Sequence, residues 1–234
     1  MSNSKELFVA DWEDVTSTEE LFEETEMQGP SSSTSGSIRV VKITITNKIV
    51  GKYEARSYPH DDINGNGKIE LYEVDVYEIL IEGFDAAGNP KTYKHIAPRF
   101  MPYWNNPKNP DSHYKQIGWV NAGLSSERNI TVVRYLPNYE VRNRYSPGKG
   151  AIVLTGAFYI HAGPADVTDF GFGSAGCVEI IGNYDDFKSN IQTLSGISGN
   201  VDAAISSLVS KRKLKVTIRQ AKAPNIQAKF TREV

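Results

Sequence analysis

"SIRVVKITITNKIVGKYEARSY", residues 37–58, decides the fold class. Within it Val40, Lys42, Thr44 and Thr46 alternate with Val41, Ile43 and Ile45. A period of two sends alternate side chains to opposite faces of an extended chain, so the segment predicts a half-buried strand. "KIELYEVDVYEILIEGF" (68–84) extends the pattern with aromatic and β-branched residues, "DAAGNP" (85–90) supplies a turn and "KTYKHI" (91–96) a return strand. "NITVVRYL" (129–136), "YEVRNRYS" (139–146), "GAIVLTG" (150–156) and "AFYIHAG" (157–163) read as further short strands. The texture then changes. "NYDDFKSNIQTL" (183–194) opens on the capping types Asn183 and Asp185 and predicts a helix, "NVDAAISSLVSK" (200–211) a second, and "KLKVTIRQA" (213–221) a last strand. The expectation is a mainly β body, a β-rich α+β class, largely antiparallel, with a few short helices late in the chain. "PRFMPYWNNPKNPDSHY" (98–114), rich in proline and polar residues, predicts a long ordered loop.

A chain of 234 residues, 39% hydrophobic and 23% charged, is long enough for one substantial core. Its net charge of −2 is unevenly spread: residues 1–27 carry nine acidic side chains against Lys5 alone, a local sum of −8, which leaves about +6 for the rest. That remainder is too mild and too scattered for a nucleic-acid stripe, and it suits a substrate with free carboxylates. "QGPSSSTSGS" (28–37) reads as a flexible linker, so the expected organisation is an acidic leader over 1–27, disordered or partner-binding, then the linker, then a β-rich catalytic domain over 38–234. "MSNSKELFVADWEDV" has no basic region followed by an apolar run, so no secretory signal peptide is expected, and no apolar stretch approaches the ~20 residues of a membrane span. The single cysteine excludes an internal disulfide framework.

"DINGNGKIELYE" (62–73) has the spacing of a twelve-residue calcium loop. Asp62, Asn64 and Asn66 fill positions one, three and five, Gly67 the sharp turn at six, and Glu73 the place of the bidentate carboxylate at twelve. The flanks argue otherwise, since Pro59 stands upstream and "YEVDVYEIL" alternates like a strand. Asn-Gly pairs also serve a tight turn without any metal, and that reading is preferred.

"YIHAGPADVTDFGFGSAGCVEI" (159–180) contains that one cysteine, Cys177, sixteen positions after His161. A solitary cysteine is commonly a small buried hydrophobe, and a histidine between Ile160 and Ala162 can be a satisfied core residue. The context points further. A predicted strand delivers His161 at its end, and a run of small residues leads from Gly173 through Ser174, Ala175 and Gly176 to the thiol. A free thiol is mostly protonated at neutral pH, and a histidine within reach can take its proton. Backbone N–H groups of Gly176 and Cys177 in such a turn can face a developing oxyanion, with no side chain in the way. Ser174 can orient His161 or help to build that hole. Asp166 and Asp169 in the intervening loop, or a backbone carbonyl, are the candidates for a third member. Arg142, Arg144 and Lys149 in "VRNRYSPGKGA" are candidate holders of a substrate carboxylate.

"IHAG" followed by "SAGCVEI" resembles the motif of YkuD-type L,D-transpeptidases, a His followed by Ser/Thr-His-Gly-Cys and a hydrophobic residue. The resemblance covers roughly residues 98–220 and is specific over 158–181. It implies a YkuD-like β domain in which Cys177 attacks an L,D-linked carbonyl of a peptidoglycan stem peptide, His161 serves as base, and Ser174 and Gly176 match the small residues before the nucleophile. An amine from a second stem, or water, would resolve the acyl-enzyme. The chain departs from the motif where Ala175 replaces the usual His, where Glu179 replaces a common basic residue, and in a His-to-Ser gap of thirteen positions. Such departures resemble those of injected peptidoglycan-targeting toxins.

The expectation is therefore a cysteine-dependent transferase or hydrolase of the L,D-transpeptidase or L,D-carboxypeptidase type. No metal or organic cofactor is implied, calcium at 62–73 being the only candidate. Expected partners are peptidoglycan stem peptides, with a component of a secretion apparatus and an inhibitor (immunity) protein for an antibacterial effector, and no nucleic acid. The protein would be made in the cytoplasm and act in the periplasm, or leave by a dedicated route without a signal peptide. The alternative is a non-catalytic β-rich binding module, stabilised by calcium at the 62–73 loop.

Overall fold

The alternating segment forms β1 (Val41–Arg56), whose ends are buried and whose middle, residues 47–52, is exposed. The computed structural model describes residues 37–234 apart from 60, 63, 106–114, 120–121, 132, 141–148, 156–157, 172–176 and 225–229. The leader expected over 1–27 and, Ser37 apart, the linker expected over 28–37 lie outside the described residues, as does most of the strand expected at 139–146. Following β1 come β2 (Tyr58–Pro59), β3 (Glu70–Phe84), β4 (Pro90–Pro98), β5 (Pro102–Asn105), β6 (Lys115–Trp119), the single turn α1 (Ala122–Ser125), β7 (Arg128–Ile130) and β8 (Arg134–Leu136). The chain continues through β9 (Ala151–Thr155), β10 (Phe158–Ala162), β11 (Val178–Ile180), α2 (Tyr184–Ser195), α3 (Val201–Ser210), β12 (Leu214–Ile218) and β13 (Arg232–Glu233). Among the described residues the protein is mainly β, with 45% strand and 16% helix.

β1 and β3 pair antiparallel along almost their whole lengths, with register shifts between Ile45 and Ile49 and between Ile49 and Gly51. Such irregularities bend a strand and increase its twist. Here they let one ribbon serve two hydrophobic clusters. Val41, Ile43 and Ile45, with Ile79 and Ile81, enter the main core, whereas Tyr53 and Ala55, with Val74, Val76, Met101 and Ile181, form a second one. β12 lies parallel to β1 and carries β7 on its outer side, while β4 and β13 share the far edge of β3. A second sheet runs β11–β10–β9–β8, and a small third one β2–β5–β6.

Three pairs are parallel, β1–β12, β10–β11 and β2–β5, so the sheets are mixed rather than uniformly antiparallel. Parallel neighbours need a long crossover, and the one between β10 and β11 is the segment 163–177 that ends on the cysteine. The stretch expected to be loop over 98–114 contains β5, whose Tyr103 and Trp104 pair with both β2 and β6. Proline sits there at the first position of a strand, where its missing N–H does least harm. "NITVVRYL" divides into β7 and β8, which belong to different sheets.

Both predicted helices form. The Asn183 side chain accepts from the N–H of Asp185 and caps α2, Asp185 and Asp186 favour its positive end, and Gly196 at φ 76° ends it. Tyr184, Phe187, Ile191 and Leu194, spaced by three and four, are fully covered. Each such apolar side chain contributes about 1.5–3 kcal/mol of transfer free energy. Asn200 caps α3 in the same way, through the N–H of Ala203. These helices pack against β1, β3, β4, β8 and β12 in the main core, which also takes Ile160, Ala162, Val178 and Ile180 of β10 and β11.

Candidate active site

Because alternate residues face opposite ways, those four apolar side chains leave Tyr159, His161, Cys177 and Glu179 for the other face. Ile160 pairs with Val178, His161 with Glu179 and Ala162 with Ile180. Cys177 stands one residue before β11 and bonds to the Tyr159 backbone. The thiol is therefore the diagonal neighbour of the imidazole on one face of a parallel pair. Sixteen residues of separation in sequence become adjacent strands in space.

His161 is 1% exposed. Its Nδ1 lies 2.8 Å from the Ala162 carbonyl oxygen. A carbonyl only accepts, so Nδ1 carries the proton and donates, which leaves the lone pair on Nε2. Nε2 is buried and has no hydrogen-bond partner among the described residues. Burial pushes the imidazole down to about 4, with the Ala162 bond acting the other way. It is a neutral base at neutral pH, held in the tautomer that a proton acceptor needs.

Cys177 is 7% exposed. Burial pushes its thiol up to about 12, the Tyr159 backbone bond opposes the shift, and the Glu179 charge adds to it. At rest the pair is thus a neutral thiol beside a neutral imidazole.

Of the candidates for a third member, Asp166, Asp169 or a backbone carbonyl, the group bonded to the imidazole is a backbone carbonyl, that of Ala162. Asp166 is exposed and turned back on its own loop, where it accepts from the Thr168 N–H at 2.7 Å. Asp169 is also exposed. Ser174 and Gly176, and Arg142 and Arg144, lie outside the described residues. The Lys149 ammonium pairs with the Asp185 carboxylate at 3.2 Å, at the start of α2.

Two side chains near the thiol escaped the sequence reading as members of the site. Glu179 is fully buried and lies within electrostatic range of both Cys177 and Tyr53. Tyr53, 3% exposed, comes from the far end of β1 and buries its hydroxyl without a partner among the described residues. Burial raises the phenol far above the usual tyrosine range, and the Glu179 charge adds to the rise. No local pattern could have found Tyr53, because only the β1 bridge from Ala55 to Gly171 brings it there.

The calcium-like loop has a different arrangement. Asp62 accepts from the N–H groups of Asn66 and Gly67 at 3.0 and 2.9 Å, and Asn64 and Asn66 accept from the N–H groups two residues on. Gly65 and Gly67 supply the positive φ of 71° and 82° that the turn requires. The Asn64 and Asn66 amides donate to one oxygen of Glu233, at 2.7 and 3.0 Å. Glu73 does not join them. It is already within β3, exposed, and 3.5 Å from the Lys52 ammonium. Three residues of extended chain beyond Glu70 carry it ~10 Å onward, where a helix would have turned it back. Among the described residues no group of three His, Cys, Asp or Glu is placed to hold a metal.

Comparison with protein-family models, with curated proteins and with solved structures gives no match.

Proposed function

We propose that this chain is a cysteine-dependent acyl transferase or hydrolase of the L,D-transpeptidase or L,D-carboxypeptidase type, acting on the stem peptides of peptidoglycan. One observation carries the reading. On the face of β10 and β11 turned away from the main core, an imidazole with its Nδ1 fixed by a carbonyl and its Nε2 buried and unbonded among the described residues has a buried thiol as its diagonal neighbour on the adjacent chain segment.

The chemistry follows from that pair. Nε2 takes the proton as Sγ bonds to the substrate carbonyl carbon, and the electron pair of the C=O bond moves to oxygen. The Cys177 N–H, with that of Gly176, is the donor set assigned to this oxyanion. Collapse of the tetrahedral adduct breaks the C–N bond, and the amine leaves with the proton from His161. Water or a second stem amine then attacks the thioester by the same route in reverse. Arg142 and Arg144 are the candidate holders of the stem carboxylate, and on this reading residues 1–37 serve export or an inhibitor protein. No helix among the described residues is long and apolar enough to cross a membrane.

A non-catalytic β-rich module is the second reading, favoured by the burial of Cys177 and the high proton affinity of its thiol. Isolated peptidoglycan incubated with the protein or its Cys177→Ala variant, followed by mass spectrometry of the muropeptides, separates the two. Loss or exchange of a terminal D-Ala with the wild type alone supports the enzyme. Identical muropeptides from both proteins support the module.

A further inference from the structure

Gly163 and Gly171 lie at the two ends of the described part of the His–Cys crossover, and neither has a positive φ. Both positions are glycine for want of space. A Cβ on Gly163 would stand 3.1 Å from the Glu179 Cβ and 2.8 Å from the Ile180 oxygen. One on Gly171 would stand 2.1 Å from the Tyr53 hydroxyl. The crossover is thus moulded over two buried polar side chains, Glu179 and Tyr53.

Glu179 is the in-register partner of His161, on the adjacent parallel strand ~4.8 Å away. No other buried carboxylate on β10 or β11 is described. The other titratable groups around it are Cys177 just before β11, Tyr159 on β10 with the Tyr139 ring tilted against it, and Tyr53 on β1. Behind Tyr53 stands Arg56, paired with Asp61 at 3.3 Å and bonded to the Gly171 oxygen at 3.1 Å. Asp166 and Asp169 are the exposed acids of the crossover, and β9 places Ala151 opposite His161.

An imidazolium formed in so buried a position is costly unless an opposite charge stands near it. We infer that Glu179 is a further positioning residue of this site, a buried counter-charge that stabilises the His161 imidazolium as Cys177 gives up its proton, with Tyr53 walling it in. The inference rests on the reaction proposed above, because only that reaction charges His161. Glu179 acts through the imidazole and touches no substrate.

Glu179→Gln removes the charge and keeps the shape. A negative charge raises the proton affinity of every neighbour, so its loss must lower all of them together. Two readouts need no substrate: the pH dependence of Cys177 alkylation by iodoacetamide, and the ring titration of His161 by NMR. Both should move to lower pH by about half a unit or more. Alkylation at pH 8 should then quicken while turnover on peptidoglycan falls about tenfold or more, and Glu179→Asp should restore much of the turnover. A fold defect alone would relieve the burial of both groups, moving the thiol titration down but the imidazole titration up.

Unmoved titrations in a folded Glu179→Gln protein would overturn the inference. If that variant does not fold, His161 in the wild type must show a second inflection as its neighbour ionises, and a single one overturns the inference. A wild type that titrates as described but leaves peptidoglycan unchanged would instead remove the proposed reaction, leaving the charge coupling in place.

Discussion

Residues 159–180 and residues 62–73 both carry the spacing of a known kind of site, and the backbone treats them in opposite ways. In the first, strand alternation and a parallel register gather His161, Cys177 and Glu179 on one buried face. In the second, the turn brings Asp62, Asn64 and Asn66 together but β3 carries Glu73 off to Lys52. Spacing in a sequence assembles a site only if the intervening backbone has the periodicity that the spacing assumes. A calcium loop of this type ends in a helix, which brings position twelve round again; this one ends in a strand, which cannot.

The comparison breaks most decisively at the thiol. Cys177→Ala should reduce turnover to the level of added buffer, because no other described nucleophile shares that face. His161→Gln should retain binding and lose about 10²–10⁴ in rate, the usual contribution of a general base. Equal activity in either variant would mean that the 159–180 face is only packing, and that it differs from the 62–73 loop in burial alone.

The pH dependence of stability tests the same contrast without a substrate. His161 has its folded value depressed to about 4, below the ~6.5 of an unfolded chain. The unfolded state therefore binds the proton first as pH falls. The stability held above pH ~6.5 should be lost progressively on the way down to about 4, and His161→Gln should flatten that part of the curve. Denaturant titrations at pH 7 and pH 4.5 measure it, and curves that fall equally in both proteins would assign the loss to other groups.

Gly171→Ala comes next in size. Its methyl would fall on the Tyr53 hydroxyl, which must shift within a packed cluster, at a cost of about 1–3 kcal/mol. Tyr53→Phe in the same chain should recover part of that loss, since the closest atom is then gone. Urea melts of the two single variants and the double variant give the coupling directly. Additive effects would show that the crossover is not moulded on Tyr53.

Strand alternation made β1, β3, β4, β9 and β10 legible in the sequence, and the capping types Asn183 and Asp185 did the same for α2. The β3–β4 hairpin was legible from its turn, but the parallel pairings were not, because a parallel register is set by what packs on both faces of a sheet and leaves no local mark. Of the site, Cys177 and His161 could be read from small residues and a strand end. Tyr53 could not, being more than a hundred residues away in sequence. Glu179 was visible only as a departure from a motif, and its burial beside His161 is a property of the β10–β11 register. The proline-rich stretch misled at Pro102, since the composition of a strand's first residue and that of a loop look alike.

The smallest effect sharpens the other half of the comparison. Asp62→Ala removes two acceptors from the N–H groups of Asn66 and Gly67 and should cost about 1–2 kcal/mol. Glu73→Gln breaks only an exposed pair with Lys52, with both side chains more than half exposed. After allowance for solvent screening that change should stay within about 0.5 kcal/mol. A melt of each variant with and without millimolar calcium decides what the loop is. If Glu73→Gln loses stability only in the presence of calcium, the carboxylate reaches the loop after all and the contrast with residues 159–180 disappears. If Asp62→Ala alone loses stability, and by the same amount in both conditions, the loop is held by its own backbone and by Glu233.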